Sequence, residues 1–174
     1  MGQRHRLVLV LGGTRSGKSV WAERRATAAA GSMGLVTYLA TGEGDDTTMA
    51  ARIAAHRLRR PATWTTIECG VHLSEALTTL ADGVVMVDSL GTWIAAHDDF
   101  RVDIDTLVGA LVARTGVTVV VSEEVGLAVH PLTEIGRRFV DVVGDVNKAV
   151  AAVADDVVLV IAGRALVLPR DGEA

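Results

Sequence analysis

A glycine-rich segment near the start of the chain has the spacing of a phosphate-binding loop. Residues 12–19 match G-x-x-x-x-G-K-[ST] without a gap, with an apolar run before them and a helical pattern after them. Glycines let backbone N–H groups close around phosphate oxygens, and the helix N-terminus adds positive potential. Lys18 can reach the β- and γ-phosphates, and the Ser19 hydroxyl can reach Mg²⁺. The segment predicts a nucleoside triphosphate site with these nucleotide-binding residues: Gly12, Gly13, Thr14, Arg15, Ser16, Gly17, Lys18 and Ser19.

An acidic residue at the end of a buried strand would complete such a site. Asp88 follows the apolar run 84–87 directly, so its carboxylate is placed to bind Mg²⁺ or a metal-bound water. Ser19 and Asp88 are therefore the predicted metal ligands. Glu123 and Glu124, which follow a later valine-rich run, compete for the metal role. The alternative for each acid is a solvated loop carboxylate or a helix cap.

One histidine has an unusual setting. His56 falls on a predicted helix over residues 46–60, with Arg52 and Arg60 four residues to either side on the same face. A neutral imidazole can attack phosphorus, and neighbouring arginines can stabilise charge on the phosphate oxygens. The alternative is a histidine at the rim of an apolar stripe, among solvated arginines.

The elements that must position these residues alternate between strands and helices. Five short apolar runs, rich in β-branched residues and without alternation, are typical of strands buried on both faces of a parallel sheet. These runs are residues 7–11, 35–40, 84–87, 117–121 and 157–162. Helices are predicted over residues 17–30, 46–60, 71–81 and 103–114, with a long one from Pro131 whose apolar stripe includes Leu132 and Ile135. The pattern predicts a three-layer α/β fold with a mostly parallel central sheet.

The end of the chain has a different pattern. Residues 157–162 and 165–168, separated by Gly163-Arg164, predict a C-terminal antiparallel hairpin with a two-residue turn.

Length and composition limit the remaining possibilities. The chain has 174 residues, which predicts one domain over residues 1–174. A formal net charge of −4 argues against a general nucleic-acid binder. A single cysteine, Cys69, excludes an internal disulfide and favours a cytoplasmic location. No run reaches the length of a membrane span, and residues 7–11 are shorter than a signal-peptide core.

Several motifs together resemble one enzyme family. The phosphate-binding loop alone is generic, whereas R-I-x-x-H-x-x-x-R-P over residues 52–61, followed by W-x-T-x-E over residues 64–68, is specific. With Val87-Asp88-Ser89-Leu90, Glu124-Val125-Gly126 and Asn147, the likeness extends over about residues 7–168. The chain resembles the bifunctional adenosylcobinamide kinase / adenosylcobinamide-phosphate guanylyltransferase family of cobalamin biosynthesis.

The resemblance implies two reactions at a RecA-like P-loop fold. The first phosphorylates adenosylcobinamide from ATP or GTP, and the second transfers GMP from GTP to that phosphate through a phosphoramidate on the histidine at position 56. Lys18 and His56 are then the catalytic residues, and Mg²⁺ is the cofactor. The further nucleotide contacts implied are Thr41, Gly42, Glu43, Arg57, Leu58, Arg59, Arg60, Glu68 and Asp88. Members of the family are described as trimers, and nothing in the composition indicates one.

Four positions depart from the family pattern. Thr48 stands where an acidic residue is usual, Glu123 replaces an asparagine, and Lys148 replaces a glutamine. Gly91 stands where a larger residue is common. Because the loop and His56 are intact, the sequence predicts that nucleotide binding and guanylylation are retained. Glu123 is the departure expected to affect metal or corrinoid contacts in the kinase half.

Two other functions remain open on the sequence. One is a P-loop kinase of another small metabolite, which gives His56 no role. The other is a nucleotide-binding regulatory or assembly module without catalytic turnover, which would require substitutions at the catalytic positions.

Overall fold

A computed structural model describes residues 6–42, 61–127 and 129–170 of the chain. The strands are β1 (Arg6–Gly12), β2 (Val36–Ala40), β3 (Trp64–Glu68), β4 (Val85–Asp88), β5 (Val117–Glu123), β6 (Asp156–Ile161) and β7 (Arg164–Leu168). The helices are α1 (Lys18–Ala30), α2 (Leu73–Thr79), α3 (Leu90–Ala95), α4 (Ile104–Ala113) and α5 (Glu134–Val153). Short 3₁₀ turns lie at Gly31–Met33 and Asp98–Phe100.

In the described part of the chain, the strands form one sheet in the order β3-β2-β4-β5-β1-β6-β7. All neighbouring pairs are parallel except β6 and β7, which are antiparallel. The mostly parallel sheet and the C-terminal hairpin predicted from the sequence are therefore confirmed. Because parallel strands end at the same edge, the carboxyl ends of β1, β2, β4 and β5 come together there.

Alternate residues of β1 show that the sheet is covered on both faces. Leu7, Leu9 and Leu11 face a core completed by the helices α2 to α5. Val8 and Val10 face a second core, to which α1 contributes alanines at positions 22 and 26. The small alanine side chains let α1 lie close to the sheet, which fixes the start of this helix relative to β1. The result is the three-layer arrangement predicted from the sequence.

Two elements were not predicted. The edge strand β3 buries only Trp64, while its other four residues are exposed, so it lacks the apolar run that marks the inner strands. The helix α3 is only six residues long. Its start is marked by a local cap instead of periodicity, since Ser89 accepts a hydrogen bond from the Thr92 backbone N–H.

The prediction for the start of the long helix was wrong by three residues. Helix α5 begins at Glu134, because the Thr133 side chain caps it by accepting from the Gly136 N–H at 3.2 Å. Leu132 is 96% exposed and Ile135 is 63% exposed, so neither belongs to the buried stripe. That stripe consists of Val143, Val146 and Val150 with the partly buried Phe139, Val142 and Val153.

The turn of the C-terminal hairpin was also misplaced by one residue. Ile161 pairs with Arg164, so the two turn residues are Ala162 and Gly163 instead of Gly163-Arg164. Both have positive φ, 50° and 76°, as the tight hairpin turn that follows the sheet's twist requires.

Within the described residues, no helix is both long enough and apolar enough to cross a membrane.

Candidate active site

The phosphate-binding loop connects the end of β1 to the start of α1. Gly17 has φ 94°, a left-handed conformation that glycine adopts without strain, and Lys18 is the first residue of the helix. Gly12 has no room for a side chain, because a Cβ there would lie 2.5 Å from Ser16 Oγ and 2.7 Å from the carbonyl oxygen of Val160. The loop predicted from the sequence thus has the strand, turn and helix that its motif requires.

The β6–β7 turn supports this loop from one side. The Gly163 N–H donates to the Ser16 carbonyl at 2.8 Å. A Cβ on Gly17 would lie only 3.3 Å from Gly163 Cα, so the two backbones approach closely. The hairpin is therefore part of the structure that positions the loop, a role that sequence reasoning missed.

Ser19 and Asp88 lie together at the carboxyl edge of the sheet. Ser19 Oγ is 3.5 Å from Asp88 Oδ1, and the Tyr38 hydroxyl donates to Asp88 Oδ2 at 2.7 Å. A hydroxyl and a carboxylate are hard oxygen ligands, which suit Mg²⁺. The described residues contain no group of three His, Cys, Asp or Glu side chains arranged to hold a metal. Mg²⁺ commonly takes one or two protein ligands and completes its shell with phosphates and water, so the pair fits the ion.

The ammonium of Lys18 faces a carboxylate that follows β5. Lys18 Nζ is 3.6 Å from Glu123 Oε1, with the two side chains 12% and 26% exposed. The Ser89 hydroxyl donates to Glu123 at 3.0 Å, and the Gly91 N–H donates to it at 2.9 Å. Glu124, by contrast, accepts from the Gly126 N–H at 2.7 Å within its own turn. The two adjacent acids, equivalent in the sequence, therefore have different partners.

Thr41 organises the backbone behind this site. Its hydroxyl is completely buried, donates to the Ser89 carbonyl at 2.7 Å and lies 2.6 Å from the Thr92 hydroxyl. It also accepts from the Ser89 N–H at 3.0 Å. In this structure the side chain has no exposed surface, and its contacts hold the turn that carries Ser89.

A cavity of about 1000 Å³ lies between α5, the end of β1 at Leu11, the start of β6 at Val157 and the residues that end β7. Its wall includes apolar side chains and a polar rim: Leu11, Val125, Val140, Gly144, Asn147 and Lys148. The Glu124 N–H donates to the Gly12 carbonyl at 3.1 Å, so the cavity and the loop share a wall. Asn147 donates to the Glu123 carbonyl at 3.0 Å, and its buried Oδ1 has no hydrogen-bond partner among the described residues.

Comparisons with known proteins show to which family of P-loop proteins the chain belongs. The family model described as "Cobinamide kinase / cobinamide phosphate guanyltransferase" matches residues 8–168. The chain belongs to this family. The bifunctional adenosylcobalamin biosynthesis protein CobP of Pseudomonas aeruginosa is 40% identical over 174 residues, covering 95% of this chain and 97% of the relative. The protein of Salmonella typhimurium named bifunctional adenosylcobalamin biosynthesis protein CobU is 35% identical, covering 90% and 96%.

A solved structure with low sequence identity has a similar fold. A KaiC-like protein of Pyrococcus horikoshii superposes with a TM-score of 0.52 at 16% identity, covering 90% of this chain and 71% of that one. The family resemblance and the RecA-like fold class inferred from the sequence are confirmed.

The site residues predicted for this cobinamide kinase / guanylyltransferase chain fall into three groups. Residues 12–19 and Asp88 lie together, as the motif and the strand ends indicated. Gly42 lies beside Thr92, and Glu68 ends β3 in register with Ala40, the residue before Thr41. The remaining predicted residues lie outside the described part of the chain: Glu43, His56, Arg57, Leu58, Arg59 and Arg60.

Three residues of this family member's site were not predicted as site residues. Tyr38 contacts Asp88, while Ser89 and Gly91 contact Glu123. The capping signal Ser89-x-x-Thr92 was present in the sequence and marks the turn after Asp88. The contact with Glu123 has no local signal, because it depends on β4 and β5 being neighbours in the sheet.

Proposed function

We propose that this chain phosphorylates adenosylcobinamide with ATP or GTP and then transfers GMP from GTP to the resulting phosphate. The products of the second step are adenosylcobinamide-GDP and pyrophosphate. The observation that carries the proposal is an intact phosphate-binding loop, with Ser19 facing Asp88, in a member of the cobinamide kinase / guanyltransferase family. Support also comes from two relatives named as bifunctional adenosylcobalamin biosynthesis proteins.

Lys18 and the loop would bind the β- and γ-phosphates in both reactions. In the kinase step these groups orient the γ-phosphorus toward the corrinoid hydroxyl, and in the guanylyl step they hold the departing pyrophosphate. Lys18 is 12% exposed, so its ammonium acts where water screens it weakly. Ser19 and Asp88 would hold Mg²⁺, which when bound neutralises charge on the phosphate oxygens.

His56 would be the nucleophile of the guanylyl step. A ring nitrogen attacks the α-phosphorus of GTP as the bond to the pyrophosphate oxygen breaks, which leaves GMP on the histidine. An oxygen of adenosylcobinamide phosphate then attacks the same phosphorus and releases His56. In this proposal Gly42, Glu43, residues 57–60, Glu68 and the backbone of Thr41 contribute to nucleotide binding.

The cavity beside the loop is proposed to receive the corrinoid. Leu11 and Glu124 line it, and they adjoin the loop because Leu11 precedes Gly12 and the Glu124 N–H donates to the Gly12 carbonyl. An acceptor held at this end of the cavity would lie near the bound phosphates. Its apolar lining suits the hydrophobic surface of a macrocycle. Lys148 at the rim can contact the phosphate of the intermediate.

Two further features of the proposal concern the whole molecule. The chain is proposed to act in the cytoplasm as a homotrimer. The highly exposed side chains of Leu127, Val129, Leu132 and Ile135 support self-association, since association would cover this apolar segment. Light scattering coupled to size exclusion should give three times the mass of 18.2 kDa, and a monomer would overturn this part.

A labelling experiment tests the function. The protein is incubated with Mg²⁺ and α-³²P-GTP, denatured and assayed for retained label, in parallel with γ-³²P-GTP and with His56→Ala. We expect label from the α position only, labile to acid, stable to alkali and absent from His56→Ala. Adenosylcobinamide phosphate should then release the label into product. Nucleotide binding without label, together with phosphorylation of another small metabolite, would instead support a plain P-loop kinase.

A further inference from the structure

Gly91 and Glu123 touch each other in this structure, although they lie far apart in the sequence. Gly91 donates its N–H to Glu123 Oε2 at 2.9 Å. A Cβ atom at position 91 would overlap Oε2 and lie 2.8 Å from Glu123 Cδ. The Glu123 side chain therefore fits here because position 91 has no side chain.

The carboxylate of Glu123 is surrounded by hydrogen-bond donors. The Ser89 hydroxyl lies 3.0 and 3.1 Å from its two oxygens, the Gly91 N–H occupies Oε2, and Lys18 Nζ lies 3.6 Å from Oε1. Ser89 and Gly91 are buried, so they fix the carboxylate in one place. In the proposed nucleotide site Ser19 and Asp88 are the metal ligands, whereas both oxygens of Glu123 already have donors beside them.

We propose that Glu123 is a positioning residue that holds Lys18 until nucleotide binds and makes nucleotide binding depend strongly on Mg²⁺. Glu123 is in register with Gly12, the first residue of the phosphate-binding loop, so its charge lies beside the phosphates that Lys18 would contact. Phosphates that arrive without a cation compete with the carboxylate for Lys18 and are repelled by it. Mg²⁺ offsets this repulsion. The inference rests on the proposed nucleotide site.

The test compares nucleotide affinity with and without the cation. Glu123→Gln keeps the size of the side chain and an oxygen for Ser89 and Gly91, but removes the charge. Fluorescent mant-GTP is titrated into wild type and variant in EDTA and in excess Mg²⁺. We expect Glu123→Gln to tighten the EDTA Kd by about fivefold or more and to change the Mg²⁺ Kd by less than about threefold.

A neighbouring carboxylate provides the matched control. Glu124→Gln removes the same charge one residue away, from a side chain bonded to the Gly126 N–H. Its ratio of EDTA to Mg²⁺ affinity should stay close to that of wild type. Equal changes in both Kd values of Glu123→Gln would overturn the inference. So would an Mg²⁺ Kd weakened about tenfold, which would make Glu123 a metal ligand.

A second set of variants tests the geometry without nucleotide. Gly91→Ala should lower the melting temperature clearly in the Glu123 chain and much less in Glu123→Asn, whose side chain is one methylene shorter. Equal losses in both backgrounds would contradict the contact. If wild type binds no nucleotide with or without Mg²⁺, the proposed nucleotide site fails as a whole. If wild type binds nucleotide but Glu123→Gln has the same ratio of EDTA to Mg²⁺ affinity as wild type, only the proposed role of Glu123 is overturned.

Discussion

The Tyr38 hydroxyl donates to Asp88 Oδ2 at 2.7 Å, while Ser19 Oγ lies 3.5 Å from Oδ1 of the same carboxylate. The two oxygens of Asp88 thus have different neighbours. Tyr38 is 3% exposed and lies on β2, directly beside β4, so its ring is held by the sheet. A fixed donor on one oxygen orients the other toward Ser19, so Tyr38 would hold Asp88 in position for the proposed Mg²⁺ site.

Tyr38→Phe removes this donor and keeps the ring. We expect the fold to persist and the Mg²⁺ requirement of GTP binding to rise by roughly tenfold or more, the effect of one lost hydrogen bond to a charged group. Titration of Mg²⁺ at fixed mant-GTP measures the shift, and circular dichroism checks the fold. An unchanged Mg²⁺ midpoint would show that Tyr38 does not orient Asp88.

Lys18→Ala tests the loop in both half-reactions. The ammonium is the charged group that the motif directs at the β- and γ-phosphates, and its loss should weaken GTP binding by about a hundredfold or more. Kinase activity and protein labelling from α-³²P-GTP should be lost together. Lys18→Arg keeps the charge but not the compact shape, so it should restore little activity. Labelling that survives in Lys18→Ala would remove Lys18 from the guanylyl step.

The inner part of the fold could be predicted because its signals are local. The strands β1, β4 and β5 are built around short runs dominated by valine, leucine and methionine, and the loop after β1 has a fixed motif. The strand β3 could not be predicted, since four of its five residues are exposed at the sheet edge and its pairing with β2 is a tertiary contact. The start of α5 was misplaced because Pro131 was favoured over the capping residue Thr133.

The residues of the candidate site divide in the same way, into those with a local sequence signal and those placed by tertiary contacts. The proximity of Ser19 and Asp88 could be predicted, because one belongs to the loop motif and the other follows a recognisable strand. Their role as metal ligands stays a prediction. The partner of Glu123 could not be assigned, because Lys18 lies far away in sequence and the contact depends on the strand order. Nothing in the sequence connects Gly91 with Glu123, and only the fold shows that they touch.

Gly144→Leu should block the proposed corrinoid cavity without disturbing the nucleotide. Gly144 lines the cavity on α5, and a Cβ there meets no atom within 4 Å, so a leucine fits by filling the open space. The expected result is a KM for adenosylcobinamide raised about tenfold or more with an unchanged Kd for Mg²⁺-GTP.

Gly109→Leu is the matched control, since Gly109 lies in α4 and a Cβ there also has open space. Both variants replace a helical glycine by a better helix former, so both should gain about 0.5–1 kcal/mol of stability. A corrinoid KM raised equally in both, or in neither, would place the acceptor elsewhere.

Cys69 should make the stability of the protein depend on pH in the alkaline range. Burial raises the pKa of this thiol above its ordinary value, and a hydrogen bond from its own backbone N–H lowers the pKa by less. The folded chain therefore holds the thiol proton after the unfolded chain has released it. The free energy of unfolding should decrease as pH rises above about 8.5, until the pH passes the raised pKa of the folded state. Urea unfolding at several pH values should show this decrease in wild type and a smaller one in Cys69→Ala.

Alkylation by iodoacetamide gives a second measurement of the raised pKa of Cys69. The native thiol should react with a higher pH midpoint than the thiol of the chain unfolded in urea. Identical midpoints in the two states would contradict the raised pKa.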